Sequence, residues 1–260
     1  MPLQTRLILG VIALLLAQAA AAAQKPCMGI GPMTFSGDGP PPALRLAKVR
    51  DTVKRLHFAH GDWGGSSAGC PNQGENCKLS SYVVGGDEVL ITGTERDYAC
   101  IVFTDPRNGW ATDGVYLPSA MLAPVAADPL ASADWSGRWR HVLQDRPERH
   151  GEQARIDIRA LGDGRNAIHG SAAPDDRNAM RTARMILTGE FQAIAEAHGA
   201  QMAFAIDSDG STVPFDARHD DSGNSICRVR LQRLGSYLIV QDNDKCSDGI
   251  WFSGAYRRAP

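Results

Sequence analysis

The C-terminal half of the chain is written in period two. In ICRVRLQRLGSYLIVQD, Ile226 to Asp242, Cys227, Val229 and Leu231 alternate with Arg228 and Arg230, and a Leu-Gly-Ser turn at 234–236 leads into a second run. Successive side chains on opposite faces mark a strand, and this pattern buries one face and wets the other, as antiparallel sheets do. Ile156 and Ile158 alternate with Arg155, Asp157 and Arg159 in the same way. WSGRWRHVL, EQARIDIRAL, RNAIHGSAA, ARMILTGEFQAIAEA, AQMAFAID, ICRVRLQRL, SYLIVQD and IWFSGAYRR follow one another, with turn signals GDG at 162–164, DSDG at 207–210 and DDSGN at 220–224. Eight strands joined by turns rather than crossover helices predict an up-and-down antiparallel β-barrel over residues 135–260.

The chain has 260 residues, 43% of them hydrophobic, enough for one large or two small cored domains. Arg6, the apolar run LILGVIALLLA and the small residues of QAAAAAQ read as a secretory signal peptide over 1–23, cut near Ala23. The apolar run is short for a membrane span, and Cys27 follows AQKP rather than a lipid-attachment box. All six cysteines lie beyond the cleavage point, as in a periplasmic or secreted protein that folds where thiols oxidise. Losing Arg6 with the signal moves the net charge from −2 to −3, which excludes a nucleic-acid partner by charge. After Asp134 arginine outnumbers lysine 16 to 1, but acids match these cations one for one, so the surface reads as mixed and solvated.

Residues 24–79 read as a preface. A Gly- and Pro-rich arm precedes ALRLAKVRDTVKRLH, in which Leu46, Val49, Val53 and Leu56 fall at helical spacing and predict a short amphipathic helix. His57 to Lys78 reads as a loop pinned by a disulfide. The period then changes to two, with strands expected at Tyr82–Val84, Glu88–Gly93 and Tyr98–Thr104. Residues 126–134, rich in Ala and Pro, are the expected linker.

YVVGGDEVLI, ERDYACIVF and GVYLPSAML together resemble a bacterial SH3-like domain over residues 80–125. That family shows a GD-x-V strand, a strand carrying an aromatic residue and a Gly-Trp close; here Val115-Tyr116 follow Gly114 and Trp110 lies earlier. The resemblance implies a small β-barrel and binding of cell-wall peptides or protein partners. SGRWRHV resembles the G-x-W opening strand of lipocalin- and avidin-like barrels. The ending from Cys227 to Arg258 is similar to that of an uncharacterised family of secreted proteobacterial proteins, with CSDG in place of CGG. It implies no activity.

A hairpin centred on Leu234-Gly235 sets Cys227 opposite roughly Asp242, so a disulfide to Cys246 is within reach. Closing that loop stabilises by ~3 kcal/mol if unfolded-chain entropy dominates. The other four cysteines allow three pairings; Cys77–Cys100 with Cys27–Cys70 is preferred, and Cys70–Cys77 would overturn it. Trp135 and Trp139 are expected to seal the barrel base, with Arg257 or Arg258 stacked over one ring.

Motifs with chemical potential have plainer readings. GSSAG puts Ser67 at the centre of a nucleophile-elbow pattern, but no strand precedes it and no helix follows. His57 and His60 are spaced H-x-x-H with Asp62 nearby, but no glutamate lies between the histidines and the spacing fixes no third zinc ligand. Asp242, Asn243, Asp244 and Asp248, or Asp207 and Asp209, depart from calcium-loop spacing and suit turns. The expectation is a mainly β, exported, non-enzymatic binding protein of the cell envelope. It has no cofactor, no catalytic or metal residues, and a cell-wall peptide or envelope protein as partner. The alternatives are a carrier of a small apolar ligand in the barrel and, further off, a hydrolase.

Overall fold

The computed structural model describes residues 27, 43–62, 64–107, 111–125, 134–142, 154–172, 189–217, 226–246 and 252–259. The signal peptide at 1–23, the arm at 28–42, Trp110, linker residues 126–133, the turn at 220–224 and Asp248 lie outside the described residues. Two antiparallel sheets account for nearly all the secondary structure described, and one of them closes into an eight-stranded barrel. The fold is mainly β, as the alternation predicts.

The first sheet comprises β1 (Arg45–Val49), β2 (Leu56–Ala59), β3 (Lys78–Val83), β4 (Glu88–Glu95), β5 (Tyr98–Thr104), β6 (Ala111–Pro118) and β7 (Leu122–Pro124), in the order β3-β2-β6-β5-β4-β1-β7. Val49, Phe58, Val83, Ile91, Ile101 and Leu117, drawn from six strands, belong to one buried cluster, so the sheet curls about a single core. The helix expected over Leu46–Leu56 is not formed. Residues 45–49 and 56–59 are strands, and Arg50–Arg55 turn the chain between them. The misreading has a physical cause. Ala47 and Val49 enter the sheet's core while Leu46 is buried on the opposite face beside an exposed Lys48, and that one apolar residue on the outer face breaks the alternation. This sheet therefore begins at Arg45 rather than near Ser80.

The second sheet comprises β8 (Gly137–His141), β9 (Arg155–Gly162), β10 (Arg165–Ala172), β11 (Gly189–His198), β12 (Gln201–Ile206), β13 (Thr212–Val213), β14 (Cys227–Leu234), β15 (Tyr237–Asp242) and β16 (Gly254–Arg258). The ladder β11-β10-β9-β8-β16-β15-β14-β12 closes on itself where β11 meets β12 at Ala197↔Met202 and His198↔Gln201. Above that point the short β13 pairs with β12, and Thr212 Oγ1 accepts from the Ile194 amide at 3.1 Å. The lumen is packed with side chains. The Phe191 ring lies over Gly170 and meets Phe252 (4.8 Å between centroids) and Phe204 (5.9 Å).

One end of the barrel is closed by two tryptophans under two arginines, Arg258 and the unforeseen Arg233. Trp135 and Trp139 are buried, and Trp139 Nε1 donates to Trp135 O at 3.2 Å. The guanidinium of Arg258 lies 5.1 Å from the Trp139 ring and that of Arg233 4.6 Å. Both donate to Asp134 O, at 2.7 and 2.6 Å. Arg257 takes no part. Alternation along β16 turns it outward, where it stacks on Tyr237 at 4.1 Å.

A third apolar cluster joins the sheets. Leu46, Leu90, Val102 and Ala111 of the first pack against Val142, Tyr237, Ile239 and Ala255 of the barrel's outside. Ser236 donates to Glu88 Oε2 across this seam at 2.7 Å. Gly235, at φ 58°, sits so close that a Cβ there would run into Leu46. β15 is consequently buried along its whole length.

The disulfides are Cys27–Cys100, Cys70–Cys77 and Cys227–Cys246. The last is as expected, although the register sets Val229 rather than Cys227 against Asp242. Asp244, at φ 59°, helps return the chain. The expected Cys77–Cys100 and Cys27–Cys70 pairs are not formed. All four cysteines meet in one cluster beside Tyr116, so nearness to Cys100 did not single out Cys77. Cys70 and Cys77 close their own short loop, leaving the outward Sγ of Cys100 to the arm. Three disulfides indicate an oxidising, extracytoplasmic environment. Among the described residues no helix is long and apolar enough to cross a membrane.

Gly170→Ala places a Cβ inside the Phe191 ring and is expected to destabilise the protein by about 1–3 kcal/mol. Urea unfolding measures the loss, and adding Phe191→Leu is expected to restore part of it.

Candidate functional site

β2 and β6 pair only at Ala59↔Tyr116 and diverge from there. Between them lies a groove of about 270 Å³. Leu56, His57 and Phe58 line it from β2; Tyr98, Pro118 and Met121 line it from the opposite side; Asn72, Gln73, Glu75 and Lys78 rim it. The rim is built by its own sequence. Cys70–Cys77 closes the loop, Asn72 Oδ1 accepts from Gly74 N at 2.6 Å, and Lys78 Nζ pairs with Glu75 at 3.1 Å. Leu56 and Pro118, both half-buried, give the groove apolar walls above the fully buried Phe58. The outer lip is also apolar, with Met121 37% exposed.

His57 Nδ1 lies 2.9 Å from Leu79 O, which makes Nδ1 the donor of that bond. Its ring packs against Tyr82 at 5.7 Å, and Arg55 covers the same tyrosine at 4.0 Å. Burial, then the nearby Asp97 charge, raises the Tyr98 phenol above its ordinary range. Tyr116 is pushed up to about 12 by burial and by its 2.6 Å bond to Glu95; its oxygen also accepts from Cys27 N at 3.1 Å. Both tyrosines are therefore neutral hydrogen-bonding groups at any physiological pH. The groove can hold an extended, partly apolar chain with polar ends.

The residues singled out by motif are dispersed. Ser67 sits in a 3-10 turn, Gly65–Ser67, and its hydroxyl donates to Gly64 O at 3.0 Å. Asp62 accepts from Gly69 N and Gly64 N, each at 3.0 Å, and these amides hold its carboxyl below the usual range. It shapes the loop, while His60 is exposed. Among the described residues no group of three or more His, Cys, Asp or Glu side chains converges as metal ligands. Asp207 and Asp209 accept from Ser211 N at 3.0 and 2.8 Å and close a turn.

Asp242, which reads as a turn residue in sequence, is instead buried at the end of β15 in a polar set with Ser253 and the half-buried His141. Asp242 accepts from Phe252 N at 2.7 Å and from Ser253 Oγ at 2.9 Å, and burial raises its pKa. His141 packs edge-on against Tyr256 at 5.1 Å and over Gly254, where a Cβ would strike its ring. Burial lowers its pKa to about 4, against a hydrogen bond with the Ser253 backbone. Serine, histidine and aspartate are neighbours here, yet Ser253 Oγ donates to Asp242 rather than to the imidazole. The set ties the start of β16 to the end of β15. Its one sequence signal is Ser-Gly directly before an alternating strand.

Because His141 titrates near 4 when folded and at an ordinary 6.5 when unfolded, the unfolded chain binds its proton first. Stability is therefore expected to fall as pH drops from 6.5 toward 4, by at most about 3 kcal/mol from this residue. Asp242 acts in the opposite sense, since its raised pKa removes stability as pH rises through it. Urea unfolding at pH 7 and pH 4.5 reads the difference, and His141→Gln is expected to shrink it.

The chain matches no known protein family, no characterised protein and no solved structure.

Proposed function

We propose that this is an exported, non-enzymatic binding protein of the cell envelope that takes an extended peptide in the groove between β2 and β6. A signal peptide over residues 1–23 delivers it, and the oxidised cysteines suit that destination. The observation that carries the reading is the groove itself. It has an apolar wall and lip formed by Leu56, Tyr98, Pro118 and Met121, a polar rim at Glu75 and Lys78, and a disulfide that braces the rim loop. Grooves with apolar walls and a few placed polar groups are how small β-domains hold peptides. The resemblance of residues 80–125 to bacterial SH3-like domains supports a cell-wall peptide as the ligand class. The carrier reading finds less support, because Phe191, Phe204 and Phe252 meet across the lumen.

Co-sedimentation of the mature protein with purified peptidoglycan sacculi tests the proposal. The wild type is expected to pellet, and Met121→Asp or Tyr98→Ala is expected to weaken binding by about tenfold or more, a typical loss for an anchor residue. Ser67→Ala is expected to change nothing. Pelleting that ignores both groove substitutions would contradict the assignment.

A further inference from the structure

We propose that the outer face of β8, β9 and β10 is a second binding site and that it takes an acidic glycan, a chain of carboxylate-bearing sugars. The surface that reads as charge-balanced in sequence is segregated in space. Arg138 and Arg140 of β8 and Arg155 and Arg159 of β9 are exposed side by side, and Asp157 stands among them. Asp157 is held from both sides, by Arg138 Nε at 3.2 Å and Arg155 Nε at 3.0 Å. Arg140 and Arg159 have no partner among the described residues. The register also places Arg140 directly opposite Arg155. Like charges facing across an antiparallel pair destabilise a sheet, and a bound anion removes that repulsion.

Arg138, Arg140 and Arg159 border an open groove of about 880 Å³. Its floor is low, with Gly137 and Ala167, and Gln192, Thr212 and His169 stand on the far side. Guanidinium forks match carboxylates two bonds at a time, and the amide and hydroxyl opposite suit sugar hydroxyls. Aromatic and large apolar walls, which would favour an acidic peptide with side-chain anchors, are missing from this lining apart from Ile158, Ile168 and Ile194.

Isothermal titration of the mature full-length protein with tetragalacturonate, maltotetraose and a hexaglutamate peptide tests this. Tetragalacturonate is expected to bind, more weakly as salt rises, while maltotetraose does not. The double substitution Arg140→Gln/Arg159→Gln is expected to weaken tetragalacturonate binding by about 10- to 100-fold, the range for losing charge-assisted hydrogen bonds. Arg45→Gln, on the first sheet, is expected to leave binding unchanged. Without ligand, Arg140→Gln is expected to leave the melting temperature unchanged or higher, which separates lost binding from lost folding. No binding of tetragalacturonate, equal or tighter binding of hexaglutamate, or indifference to the double substitution would overturn the proposal.

Discussion

The apolar seam between the two sheets is the contact on which the rest of the structure depends. Leu46, Leu90, Val102 and Ala111 lie on the face of the first sheet that points away from its own core, and β15 supplies Tyr237 and Ile239 from outside the barrel. Neither face could stay exposed without presenting a large apolar patch to water. Burying both removes that liability and orders the strands on either side. It also explains why Gly235 is glycine. The turn needs a positive φ, and Leu46 occupies the space where a side chain would go.

The seam also decides what each sheet can offer. With one face of the first sheet covered, its open features are the divergent edge of β2 and β6 and the loop braced by Cys70–Cys77. With β15 and β16 covered, the barrel presents its arginine-rich β8–β10 face instead. The barrel lumen closes at one end around Trp139, gripped by Arg233 and Arg258 through Asp134.

Much of this architecture is legible in the residues, and the failures share a cause. Alternation marks most of the barrel strands through one wet face, whereas β15, buried throughout, is found as an apolar run between two turn signals. It fails at Leu46–Val49, where Leu46 is buried on the face that also carries the exposed Lys48, and the spacing of Leu46 and Val49 mimics a helix. β13 is missed because two residues carry no periodicity. The Cys227–Cys246 bridge follows from one hairpin, whereas the pairing of the other four depends on where a distant arm lands. The groove was hidden for a similar reason. Tyr98, Pro118 and Met121 come together with Leu56 only through the β2–β6 divergence, which no local pattern encodes.

The most direct test of this account is calorimetric unfolding of the mature protein with the seam intact and with it broken from either side. Leu90→Asp and Ile239→Asp each place a charge on a seam face without entering either sheet's own core. If the seam makes the two sheets one cooperative unit, the wild type melts in a single transition. Each variant then melts in two, one for the first sheet and one for the barrel. Two transitions in the wild type, or one in the variants at an unchanged temperature, would contradict it.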